Sequence, residues 1–152
     1  MRYQLLTIGS LKRRFYKEGC AFYAERLKKY AKLELKELKE AKHRDASQVQ
    51  TLESDALRSA AKGYVIALDE TGKTFDSEGL AQHLTVLENR SIGLVSLLIG
   101  GAEGHSQDLK QKADELWRLS DLTLPHDLAR LVLLEQLYRA ETIRTGHPYH
   151  RG

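Results

Sequence analysis

Short apolar runs and longer stretches of helical periodicity alternate along this chain from one end to the other, and that alternation constrains the fold more than any other feature. Residues 3–8 form a β-prone run closed by Gly9-Ser10. Phe15, Phe22, Leu27 and Tyr30 then recur at helical spacing among Lys12, Arg13, Arg14, Lys17, Lys28 and Lys29. Residues 33–38 read as a second strand, and Lys36 and Glu37 suit it to a sheet edge. The charged, unpatterned stretch 40–50 reads as a loop, and 49–61 as a helix stopped by Gly63. A strand is expected over 64–68, followed by a turn at Thr71-Gly72-Lys73. Asp76 or Ser77 can then cap a helix that runs to about Asn89. Residues 94–99 are the most apolar strand. A glycine-rich turn follows, then a helix from about Ser106, a short fifth strand over 115–119, and a last helix from near His126 to about Thr145. Pro125 suits the first turn of that helix.

Strands alternating with helices imply an α/β fold with a largely parallel sheet flanked by helices, in a single domain over residues 1–152. A chain of 152 residues buries a core without disulfide or metal staples. Its 41% hydrophobic and 30% charged residues argue against disorder. Cys20 is the only cysteine, which rules out an intramolecular disulfide and fits a reducing cytoplasm. No signal peptide or transit segment is visible, and runs such as Leu97-Leu98-Ile99 are too short to span a bilayer. A cytoplasmic location with no membrane partner is therefore expected. The formal net charge of +3 excludes a strongly basic nucleic-acid clamp. Residues 1–62 nevertheless carry 15 basic against 8 acidic side chains, and residues 63–152 carry 9 against 13. That asymmetry fits an enzyme that docks on RNA with one end, or simply solvated helix faces.

In parallel sheets ligands sit beyond the carboxyl ends of the strands. That rule places Leu68-Asp69, Gly100-Gly101 and the loop 119–124 on one rim. Three glycines in the five residues 100–104 let the main chain turn tightly and approach a ligand. The spacing is not GxGxxG and no Lys-Ser/Thr follows, so neither the dinucleotide fingerprint nor the P-loop is present. The loop Leu119-Ser120-Asp121-Leu122-Thr123-Leu124, before Pro125-His126, mixes apolar walls with main-chain polar groups and could enclose an adenine. The competing readings are a tight strand-to-helix turn and a plain connection with Thr123 near a cap. Glu135 and Arg139 share one face of the last helix, as an exposed ion pair or as a means of orienting a substrate. The tail His147-Pro148-Tyr149-His150-Arg151 offers an aromatic ring for a base, a guanidinium for phosphate and, in His150, a group able to move a proton near neutral pH. Alternatively it is a frayed terminus. His147 and His150 lack the companions a metal site needs, so no metal is expected.

Four motifs occur in order: Leu-Leu-Ile-Gly-Gly-Ala-Glu-Gly (97–104), Leu-Ser-Asp-Leu-Thr-Leu-Pro-His (119–126), Leu-Glu-Gln-Leu-Tyr-Arg-Ala (134–140) and His-Pro-Tyr-His-Arg (147–151). Together, over essentially the whole chain, they resemble the ribosomal RNA large subunit methyltransferase H family of the SPOUT superfamily. The resemblance implies a homodimer with a C-terminal deep trefoil knot, against the general rule that chains do not knot. It implies S-adenosylmethionine as cofactor and S-adenosylhomocysteine as product. The substrate implied is N3 of a pseudouridine in the helix 69 loop of 23S rRNA, in the assembled 70S ribosome. Another SPOUT activity, on tRNA or another rRNA nitrogen, is the alternative. Carried over, the cofactor contacts fall on Leu68, Gly100, Gly101, Leu119, Ser120, Asp121, Leu122, Thr123 and Leu124. The substrate-side positions are His126, Glu135, Arg139, Tyr149 and His150. Ala102 and the extra Gly152 are small departures from the family pattern.

Overall fold

The computed structural model describes residues 1–152. Its elements are β1 (Arg2–Ile8), α1 (Arg14–Leu27), β2 (Lys32–Leu38), α2 (Ala46–Ala60), β3 (Tyr64–Lys73), α3 (Ser77–Asn89), β4 (Leu94–Ile99), α4 (Gln107–Lys112), β5 (Glu115–Trp117) and α5 (His126–Thr145). The strands form one sheet in the order β2-β1-β4-β3-β5, and every neighbouring pair is parallel. The α/β class holds, and β2 is an edge strand.

Side chains alternate across the sheet and sort the helices into two layers. Tyr3 and Leu5 of β1 and Val95, Leu97 and Ile99 of β4 pack with Leu27 of α1, Leu84 of α3 and Leu133 and Leu137 of α5. Leu6, Ile8, Ala67 and Leu98 turn the other way, onto Leu57 of α2 and Leu109 of α4. Leu97 and Leu98 are fully buried on opposite faces, so truncation of either to Ala costs about 2–5 kcal/mol. α5 runs along both α1 and α3, which fixes its first turn at the carboxyl rim of the sheet.

Four local expectations are corrected. α2 begins at Ala46, inside the stretch that lacks an apolar pattern, because Asp45 accepts a hydrogen bond from the Ser47 N–H at 3.0 Å and caps it. β3 runs past Leu68 to Lys73. Asp69 accepts from the Thr71 N–H at 3.0 Å and folds residues 69–72 outward, so that Leu68 and Lys73 both pair with Trp117. A Cβ on Gly72 would lie 2.5 Å from the Leu116 and Trp117 main chain, so the bulge requires glycine there. β5 accordingly ends at Trp117 and leaves Leu119 to the loop. Phe15 and Phe22, spaced like core residues, are 59% and 51% exposed; Cys20, Ala24 and Leu27 form the buried face of α1.

Candidate active site

Loops beyond β3, β4 and β5 enclose a rim cavity of about 750 Å³. Leu68, Gly100, Gly101, Leu119, Ser120, Asp121, Leu122, Thr123 and Leu124 all line it, and so does His126 at the start of α5. The strand-end rule thus brings three segments distant in sequence to one place.

The glycine loop is clamped by one face of α2. Gln50 donates to the Glu103 carbonyl at 2.8 Å, and Ser54 accepts from the Ser106 N–H at 2.8 Å. Between them Glu53, 5% exposed, accepts from the Ala41 N–H at 3.0 Å. Its other carboxylate oxygen stands 2.8 Å from where a Cβ on Gly101 would project. A side chain at Gly101 would push directly into that carboxylate. Glycine at 101 is therefore required by the packing of the loop against α2 and Ile8, which holds its main chain at the cavity.

Sequence reasoning missed several lining residues. His105 is 4% exposed in the cavity wall and its Nε2 lies 3.2 Å from the Leu98 carbonyl. Burial pushes its pKa down, against the pull of that carbonyl, so it is neutral near pH 7. Asp69 pairs with Lys110 at 3.1 Å. Burial works to raise the Asp69 pKa, but the bonds from Thr71 and Lys110 outweigh it and hold the carboxyl below its usual range. Arg118 pairs with Asp121 at 3.1 Å and ties the start of the loop to its middle. Only the strand-end position of Asp69 signals a site; the single histidine and lysine carry no pattern of their own.

The remaining expected residues gather elsewhere, on α5 and the folded-back tail. Arg139 donates from Nε and Nη2 to Glu135 Oε1 at 2.9 and 2.6 Å. The Tyr149 hydroxyl donates to the same oxygen at 3.1 Å. Arg139 Nη1 lies 3.0 Å from His150 Nδ1, so this ring nitrogen accepts and Nε2 carries the proton of the neutral imidazole. The Arg139 guanidinium sits over the Tyr149 ring, 4.7 Å from its centre. Hydrogen bonding to Glu135 raises the Arg139 pKa, so it is permanently charged. Burial, with help from Tyr23 and Glu135, pushes Tyr149 up to about 12.

None of these four residues lines the rim cavity. Thirteen helical residues separate His126 from Arg139, a span of about 20 Å along the axis. Within one chain the structure brings the cofactor-side residues together and the tail residues together, but not the two groups to each other. His126, 45% exposed in its side chain, is the only substrate-side residue on the cavity. Among the described residues no group of histidine, cysteine and carboxylate side chains is arranged to hold a metal ion. No helix is long and apolar enough to cross a membrane.

Known proteins resemble the chain over its whole length. A family model described as "Predicted SPOUT methyltransferase" matches residues 1–150. The chain is 42% identical to the ribosomal RNA large subunit methyltransferase H of Deinococcus radiodurans, with 100% of both chains covered. It is 46% identical to the protein of that name from Synechococcus sp. (strain RCC307), over 99% of this chain and 95% of the relative. Among solved structures, a probable methylase family protein from Haemophilus influenzae superposes with a TM-score of 0.55 at 11% identity. That superposition covers 99% of this chain and 70% of the other, a likeness of fold.

Proposed function

The chain belongs to the ribosomal RNA large subunit methyltransferase H family of SPOUT methyltransferases, and from that premise we propose that it methylates N3 of a pseudouridine in the helix 69 loop of 23S rRNA, in the assembled 70S ribosome, with S-adenosylmethionine as donor. The observation that carries the reading is the convergence of the three family loops on one glycine-floored cavity. When bound, the donor supplies a sulfonium-activated methyl group and leaves as S-adenosylhomocysteine.

The chain's own residues bind and position. Main-chain groups at Leu68, Gly100, Gly101 and Ser120, Asp121 and Thr123 hold the donor, and Leu119, Leu122 and Leu124 wall its adenine. Arg139, fixed by two bonds to Glu135, presents a constant positive charge to a phosphate or to a uracil oxygen as negative charge develops there. Tyr149 anchors the tail on Glu135 and carries Arg139 on its ring. Because His150 Nδ1 is engaged by Arg139, its Nε2–H is a hydrogen-bond donor. That N–H holds a water beside the base; the N3 proton leaves through this water to hydroxide or buffer base in the solvent, and the nitrogen anion left behind is the nucleophile. His126 connects the donor loop to the incoming base.

The separation of cavity and tail cluster supports a homodimer in which one protomer holds the donor and its partner's Glu135, Arg139, Tyr149 and His150 complete the site. The experiment is complementation. Thr123→Trp, at an exposed position of the cavity, fills only the cavity, and Arg139→Ala damages only the tail cluster, so each homodimer is inactive on vacant 70S ribosomes. Mixed and re-equilibrated one to one, they regain about a quarter of the parent's sites, since half the dimers are hybrids with one intact site. No recovery, or activity on free tRNA in place of ribosomes, would overturn the reading. The basic half of the chain, residues 1–62, supplies grip on RNA, and the enzyme works in the cytoplasm where ribosomes are. The family's trefoil knot belongs to the same reading. A chain pulled from both ends in a single-molecule trap stops short of its full contour length if it is knotted.

A further inference from the structure

A second cavity, of about 570 Å³, opens beside the first, at the tips of β1 and β2. α5 separates the two: Ala129 lines the rim cavity, and the next residue, Arg130, lines this one. Leu5, Leu11, Leu35 and Leu134 make its walls apolar. Arg130, 6% exposed, donates to Glu37 at 2.6 Å and to the Gly9 carbonyl at 3.2 Å. Glu37 thus neutralises the buried guanidinium. Lys17 of α1 and Lys36 of β2 also line the cavity; both are exposed and neither is in an ion pair, so they leave it with uncompensated positive charge.

An apolar hollow beneath two free ammonium groups matches one chemical class, a nucleotide with its base inside and its phosphate outside. The opening lies one sheet position from the rim cavity that would receive the target base. We infer that the second cavity takes a nucleotide of the RNA next to the target, its base against Leu11, Leu35 and Leu134 and its phosphate between Lys17 and Lys36. The inference rests on the reading of the chain as an RNA methyltransferase. It adds a subsite that helps hold the strand while the methyl transfer occurs elsewhere.

The charge is tested with Lys17→Glu/Lys36→Glu, and the hollow with Ala21→Trp, which adds bulk at an exposed position of the cavity without changing charge. Arg90→Glu/Lys112→Glu is the control, with the same charge change outside the basic half of the chain, at the amino end of the sheet. All these sites are exposed, and thermal unfolding verifies the fold. On 70S ribosomes, the Lys17/Lys36 variant should raise KM about tenfold or more with kcat unchanged, and flatten the log–log salt dependence of RNA binding by about one phosphate's worth. Ala21→Trp should raise KM with the salt slope intact. A Lys17/Lys36 variant that behaves like the control overturns the inference. So does a charge effect without an Ala21→Trp effect, which would leave only a surface phosphate contact. A parent protein inactive on ribosomes would instead negate the proposed function. Fluorescence anisotropy with a labelled RNA hairpin then tests the cavity directly, and equal affinity of parent and both cavity variants would dismiss it.

Discussion

The rim cavity and the α5–tail cluster put opposite parts of the polypeptide to use. In the cavity the proposed donor-binding surface is main chain at Gly100 and Gly101, and side chains such as Gln50, Glu53 and Ser54 stand behind it as props. In the cluster the main chain is ordinary helix, and four side chains share charge, hydrogen bonds and a ring face. The lesson is a difference in vulnerability. The first region fails when atoms are added, the second when charge is taken away.

The largest expected effect separates them most cleanly. Arg139→Ala should lower turnover by about 10²-fold or more while calorimetry finds the affinity for S-adenosylmethionine unchanged. A loss of affinity would mean that the two regions are not distinct. Gly101→Val should do the reverse. Overpacking against Glu53 and Ile8 should cost about 1–3 kcal/mol of fold stability and displace the loop, so donor affinity falls with kcat preserved at saturating donor. Glu135→Gln keeps an acceptor for Tyr149 but removes the charge facing Arg139. Turnover should drop by about tenfold, less than for Arg139→Ala, as expected for one charge-assisted bond weakened rather than lost.

The smallest effect is a titration. Tyr149 is raised to about 12 in the fold, above its ordinary value of 10.0. Its contribution to holding the tail is therefore complete below pH 10, declines as pH rises above that value, and is lost as pH passes through about 12. Tyrosinate absorbance should show a late phase near pH 12 in the parent, to which Tyr64 also contributes, and a smaller one in Tyr149→Phe. A late phase of undiminished size in Tyr149→Phe would show that the tail is not docked on Glu135.

The strand-end rim was legible because it follows from topology: alternating elements imply a parallel sheet, and a parallel sheet has one ligand-binding edge. The bulge at residues 69–72 was not, because Asp69 folding the chain back onto Trp117 is a tertiary pairing that resembles a simple turn in sequence. The outward turn of Phe15 and Phe22 escaped for a related reason. Helical spacing gives a face but not its direction, and the small residues Cys20 and Ala24 were better markers of the core. The tail cluster was readable as a set of residues, yet its distance from the cavity depends on how α5 packs along α1 and α3. The second cavity draws Lys17, Lys36 and Arg130 from three elements, and no local pattern joins them.

The clamp that α2 places on residues 100–106 also settles traffic. Held at Glu103 and Ser106 by Gln50 and Ser54, that wall of the pocket cannot swing open without breaking bonds to a packed helix. On the proposed reading, donor and product would pass on the opposite side, across the 119–124 segment, where Leu122 lies 77% exposed. A doorway of that kind puts the turnover cycle under the control of whatever rests on Leu122, so a docked ribosome would trap the reactants inside until it departs.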